Sequence, residues 1–196
     1  MLDHRSSVST HQGLRRLEYV CWFAGTLAVA YVALSLWFSV RFQETAASRL
    51  LATQQHPAQQ VALREGDLFG KILIPRIGLS AIIEEGIGDR TLRHAVGHFP
   101  ESSSPERPGT VALAGHRDTF FRALAGIRVN DLVTLETSRG KYEYQVVHTA
   151  AVGPQHVEFV QNSSQSDLTL VTCFPFRYIG RAPQRFIVQA IRIRPQ

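Results

Sequence analysis

Cysteine is nearly absent: 196 residues hold two, Cys21 and Cys173. With so few, no disulfide framework can staple the chain. No CxxC pair stands at either one, and zinc takes three or four ligands, so a metal site around Cys173 is not expected. Charge is also sparse, at 19% of residues; 21 Lys and Arg against 16 Asp and Glu give +5 and a pI near 9.7. Apart from Arg15-Arg16 the basic residues are scattered singly, and no nucleic-acid-binding pattern accompanies them. Nucleic acid is therefore not an expected partner, and the excess fits mild attraction to an anionic membrane or wall polymer. Gly-rich phosphate loops, GxSxG elbows, internal repeats and low-complexity tracts are missing too. An apolar share of 44% excludes a disordered chain and leaves room for one ordinary domain plus something extra.

The extra part is an uncharged run from Tyr19 to Val40, YVCWFAGTLAVAYVALSLWFSV. About 22 helical residues reach roughly 33 Å, enough to cross a hydrocarbon core of about 30 Å. Tyr19, Trp22, Trp37 and Phe38 lie towards its ends, where aromatic rings seat at membrane interfaces. The run predicts a transmembrane helix over 19–40. It is longer than a signal-peptide core, and Trp37 to Arg41 makes a poor cleavage site, although Ala46-Ala47-Ser48 offers one. Arg5, Arg15 and Arg16 on one flank outnumber Arg41 and Arg49 on the other, which favours a cytoplasmic N-terminus. Residues 1–18 read as a cytoplasmic tail and 41–65, rich in Ala and Gln, as an extracytoplasmic spacer before a domain over 66–196.

From Gly66 onward, short apolar and β-branched stretches alternate with Gly, Pro and Asp turns. Strands are expected at 70–74, 80–84, 110–114, 132–136, 141–148, 168–172 and 185–193. Short helical pieces fit 90–94, 119–125 and 155–160. This spacing argues for a mostly β domain, closed or sandwiched, around a single core.

Leu168 to Phe176, LTLVTCFPF, reads as a buried strand that stops at Pro175 and delivers Cys173 to its end. Thr110 to Asp118 is another short apolar strand, ending in His116, and Arg185 opens the strand Arg185 to Ile191. A thiol with a pKa of about 8.5 is mostly protonated at neutral pH and needs a base or cation beside it to attack. Cys, His and Arg at three strand ends are the parts of such a site. A lone cysteine also packs as a small core hydrophobe, and a single histidine is more often structural than catalytic. His4, His11 and His56 fall in tail or spacer, His94 and His98 in a Gly- and Pro-containing connection, His148 at a strand end and His156 in a loop. Of these, His98 is the first alternative to His116.

Thr169-Leu170-Val171-Thr172-Cys173 is similar to the TLxTC signature of sortases, the membrane-anchored cysteine transpeptidases of bacterial surfaces. Gly115-His116-Arg117-Asp118-Thr119-Phe120-Phe121 and Ala182-Pro183-Gln184-Arg185-Phe186-Ile187-Val188 most resemble the class D branch, and the resemblance runs from Gly66 to Ala190. It implies an eight-stranded sortase-type β-barrel with short helices, preceded by a single transmembrane helix in the plasma membrane. It implies that Cys173 is the nucleophile, His116 the general acid and then base, and Arg185 the oxyanion support. Arg185 is selected over Arg177 and Arg181 because the family's arginine opens the last strand. Thr172 and Arg181 are the further candidates for substrate or oxyanion support. The implied reaction cleaves an LPxTG-like sorting signal after its threonine and passes the acyl group from a thioacyl-enzyme to an amine.

The implied partners are surface proteins or pilins bearing a C-terminal sorting signal, an amine acceptor such as a peptidoglycan precursor or pilin lysine, and the membrane. No cofactor is expected. Some sortases bind calcium through acidic loops, but Glu84, Glu85 and Asp89 cannot be matched one by one and read as a solvated turn. Phe174, Pro175, Phe176, Tyr178 and Ile179 either exclude water during the thioacyl stage or belong to the core. Two other classes stay open: another wall thiol acyltransferase or hydrolase, such as an L,D-transpeptidase, and a non-catalytic membrane-tethered β-barrel adaptor. Phe174-Pro175-Phe176, in place of a glycine-rich setting, tells against the first, and retention of all three catalytic positions tells against the second.

Overall fold

The computed structural model describes residues 63–155, 167–178 and 180–193, and in the N-terminal part residues 19, 21–35, 37 and 41. They fall into two units divided between residues 42 and 43. In the first, residues 21–35 form helix α1, and its apolar side chains are exposed on every side, among them Trp22, Phe23, Leu27, Val29 and Tyr31. Among the described residues no helix is long and apolar enough to cross a membrane. The expected span over 19–40 includes residues 20, 36 and 38–40, which lie outside the described residues, as do the tail 1–18 and most of the spacer over 41–65.

In the second unit eight strands close into a barrel: β1 (Leu68–Ile74), β2 (Leu79–Glu85), β3 (Val96–His98), β4 (Thr110–Ala114), β5 (Leu132–Thr137), β6 (Gly140–Val152), β7 (Asp167–Phe174) and β8 (Gln184–Arg192). Their order around the barrel is β1-β2-β3-β4-β7-β8-β6-β5, and closure leaves no strand edge unpaired. Two neighbouring pairs are parallel, β2 with β3 and β4 with β7; the rest are antiparallel. Parallel neighbours need crossovers. Helix α2 (Asp89–Leu92) lies on the way from β2 to β3, and β5 and β6 are inserted between β4 and β7.

β4 and β7 read as continuous apolar runs because both of their faces are covered. Val111, Leu113, Leu168 and Leu170 point into the main core, with Ile72, Ile83, Leu135 and Val188. Ala112 and Val171 point the other way, under Phe99. β6 extends well past its expected end and carries a bulge between Val146 and His148, which bends a strand of 13 residues round the barrel wall.

Three expectations need correction. The eighth strand, β3, falls where a plain connection was expected. The helical piece expected at 119–125 is a 3-10 turn, Arg122–Gly126, packed through Leu124. The helix expected at 90–94 begins and ends earlier, at Asp89–Leu92. The one expected at 155–160 lies outside the described residues except for Gln155.

Candidate active site

β7 lies between β4 and β8. The β7–β8 register sets Cys173 opposite Arg185. Directly opposed residues project to the same side of a sheet, with Cβ atoms about 4.5–5.5 Å apart. On the other flank the parallel ladder ends with Ala114 opposite Val171, and the Gly115 N–H extends it by donating to the Val171 carbonyl at 3.2 Å. His116 follows Ala114 by the same two steps that separate Cys173 from Val171. The ladder thus gathers His116, Cys173 and Arg185 at one end of three adjacent strands. His116 is exposed, and Cys173 and Arg185 are half-buried, so all three are open to a substrate. Arg185 Nη1 donates to the carbonyls of Gln184 at 3.1 Å and Ala182 at 3.5 Å. Both acceptors are neutral, so they orient the guanidinium without cancelling its charge.

The neighbours of these three residues do structural work. Thr172 is buried, and its hydroxyl donates to the Gly115 carbonyl at 2.7 Å. That bond ties the end of β7 to the residue before His116 and occupies the hydroxyl. Gly115 is required by close approach: a Cβ there would lie 2.8 Å from the fully buried ring of Phe121. Phe174, Phe176 and Phe186 pack on one another with centroids 5.2–5.9 Å apart, and Phe176 and Phe186 also rest against the main core. The aromatic residues after Cys173 are therefore an extension of the core beside the thiol. Tyr178 and Arg181 are exposed on the connection from β7 to β8.

Arg117 is the feature that sequence reasoning missed. Next to an exposed His116, its own side chain is buried, and it donates to the carbonyls of Pro175, Tyr178 and Gly180. The signal was present in the Gly-His-Arg-Asp string, but nothing local distinguishes this arginine from a solvated one.

The acidic group reads differently in the structure. Glu84 and Glu85 are buried at the end of β2, not in a solvated turn. Glu84 faces His94 Nε2 at 3.0 Å, and burial, partly offset by His94, pushes its carboxyl up from the usual value. Glu85 Oε2 lies 2.8 Å from His98 Nδ1, and His98 Nε2 lies 3.0 Å from both the Ser103 carbonyl and Ser102 Oγ. A carbonyl only accepts, so Nε2 carries a hydrogen there and cannot serve Ser102 as a base. Ser102 is itself committed, donating to the Phe99 carbonyl and accepting from the Ala112 N–H. What looks like a Ser-His-Glu relay is a structural lock, and His98 is no rival to His116. His94 and His98 do have the HxxxH spacing of zinc ligands, but each is paired with its own glutamate. Among the described residues no group of three ligands gathers.

A closed barrel with cysteine, histidine and arginine at one rim defines a class of β-barrel thiol protein. The sortase domain model matches residues 72–193, and the chain belongs to the sortase family. It is similar to Sortase D of Bacillus subtilis (strain 168), at 34% identity over 129 residues and 65% of each chain. It is also similar to Sortase A of Bacillus anthracis, at 26% identity over 57% of this chain and 55% of that one. The match thus spans under two thirds of the length of these relatives. Among solved structures, a Sortase D5 transpeptidase of Clostridium perfringens shares the fold with a TM-score of 0.67, at 23% identity over 77% of this chain and 98% of that one. Sortase C-1 of Actinomyces oris follows with a TM-score of 0.60 and 26% identity, covering 66% and 76%.

Proposed function

We propose that this chain is a membrane-anchored cysteine transpeptidase that acts on an LPxTG-like sorting signal outside the plasma membrane. The observation that carries the reading is the register: Cys173 faces Arg185 across the β7–β8 ladder, and His116 lies two residues past the end of the β4–β7 ladder on the other side. Cys173 Sγ, as thiolate, attacks the carbonyl carbon of the signal's threonine, and Arg185 stabilises the oxyanion that develops. His116 gives its proton to the departing amine, which leaves a thioacyl-enzyme. It then takes a proton from an incoming amine as that amine displaces the thiolate. The amine belongs to a peptidoglycan precursor or a pilin lysine, and the acyl donors are surface proteins or pilins. The N-terminus is cytoplasmic. The all-round apolar surface of α1 supports a single-pass anchor.

The test incubates the full chain with an LPxTx-type peptide library and hydroxylamine, following hydroxamates by mass spectrometry, with Cys173→Ala as control. Product cut after the threonine is expected from the native chain and none from the variant. If no peptide yields product and Cys173 of the folded chain resists alkylation, the adaptor reading replaces this one.

A further inference from the structure

Arg117 is a buried cation with no buried carboxylate to answer it among the described residues. Its side chain is 8% exposed, whereas that of Asp118, whose Oδ1 is 3.5 Å from Nε, is 69% exposed. Water screens that pair. The guanidinium is satisfied by backbone instead: Nη1 donates to the Pro175 carbonyl at 3.0 Å, and Nη2 to those of Tyr178 at 2.7 Å and Gly180 at 3.1 Å. The Tyr178 ring lies with its centre 5.9 Å from the guanidinium carbon. A buried charge is tolerated only when it is hydrogen-bonded in this way. Arginine's rigid fork meets several acceptors at once, which the compact ammonium of lysine does not.

The placement of these partners matters more than their number. All three carbonyls belong to the connection between Cys173 and Arg185, and Arg117 directly follows His116. The contact therefore bridges the strand end that bears the histidine and the segment that joins the other two. We propose that Arg117 is a positioning residue, fixing the β7–β8 connection against the His116 strand end so that peptide meets a preformed wall beside Cys173. The inference rests on the transpeptidase reading. Without the clamp, part of the binding energy goes into ordering that segment, which raises KM and leaves the chemical step alone.

The native full chain, Arg117→Ala and Arg117→Lys in detergent micelles are compared by two readouts. Hydrogen exchange without substrate is expected to speed up about tenfold or more in the β7–β8 connection of Arg117→Ala, the size expected when hydrogen bonds to a charge are lost, with β1 and β2 unchanged. Arg117→Lys recovers less than half of that protection. With sorting-signal peptide, KM of Arg117→Ala rises about tenfold while kcat and Cys173 alkylation stay within about threefold of native. Unchanged exchange, exchange that rises evenly around the barrel, or full recovery by lysine would overturn the clamp. A fall in kcat and alkylation at constant KM would also overturn it. If the native chain turns over no peptide, the transpeptidase reading fails, while the exchange data still decide whether Arg117 holds the connection.

Discussion

Asp131 joins two stretches of chain at one carboxylate. Arg76 donates to it from Nε and, at 2.6 Å, from Nη2, and the Arg128 N–H donates at 2.8 Å. Arg76 belongs to the 3-10 turn after β1 and also donates to the Gly126 carbonyl. Hydrogen bonding from Arg76, outweighing the cost of burial, holds the Asp131 carboxyl below its usual 3.8. A carboxyl with a lowered folded-state pKa contributes fully above the unfolded value and loses that contribution as pH falls through the folded one. Arg76 is 42% exposed, so solvent weakens the pair. Asp131→Asn is therefore expected to lower the urea midpoint at neutral pH, by less than the loss of an unscreened bond to a charged group, about 1.5–3 kcal/mol, would. Urea unfolding near pH 7 and again at about one unit below the ordinary Asp pKa measures this: the gap between variant and native chain should narrow in acid, and an equal gap at both would refute the assignment. At this scale the strand-end positions of Cys173, His116 and Arg185 were legible, because each sits in a contiguous string. Arg117 and the Glu85–His98 pair were not, because what defines them is burial against residues distant in sequence.

β3 shows what a strand needs beyond its own sequence. Val96-Gly97-His98 has neither length nor alternation, and it is a strand only because β2 and β4 supply its partners. Gly97 is the residue that lets it fit: a Cβ there would meet the Gly86 carbonyl oxygen at 2.4 Å and Leu92 Cδ2 at 3.0 Å. The nearer atom is backbone and cannot swing aside. Gly97→Ala is expected to lose about 1–3 kcal/mol by overpacking, and a denaturation midpoint equal to the native one would show that the strand yields freely. The elements found correctly in advance carry their own evidence. β4 was legible at its observed bounds, Thr110–Ala114, because a strand covered on both faces is apolar throughout. β1, β2, β5 and β7 came within two residues at each end, since apolar spacing reports burial. β6 was placed but cut short, because the bulge breaks its alternation. The strand order, with its two parallel pairs, was not legible, because pairing across long insertions leaves no local mark.

The whole molecule joins a barrel domain to a helix of a different character. A helix in water hides one apolar face and wets the other, whereas α1 presents Trp22, Phe23, Leu27, Val29, Tyr31 and Leu34 on every side, each with more than half of its surface open. That surface fits hydrocarbon, and the net charge of +5 offers a rival explanation for membrane association through anionic headgroups. Salt separates the two. Electrostatic attachment fades as the Debye length shrinks to about 3 Å at 1 M salt, while an inserted helix does not respond. The full chain is expected to stay with vesicles of mixed neutral and anionic lipid in about 1 M salt, and Leu27→Arg with Val29→Arg is expected to release it. Each arginine costs about 2.5–3.5 kcal/mol near the middle of a spanning helix, and the double change adds positive charge that would strengthen a merely electrostatic contact. Flotation of both chains at low and high salt therefore gives opposite results for the two explanations. A native chain that sinks in high salt, with a double variant that binds better in low salt, would replace the anchor with a surface-adsorbed enzyme.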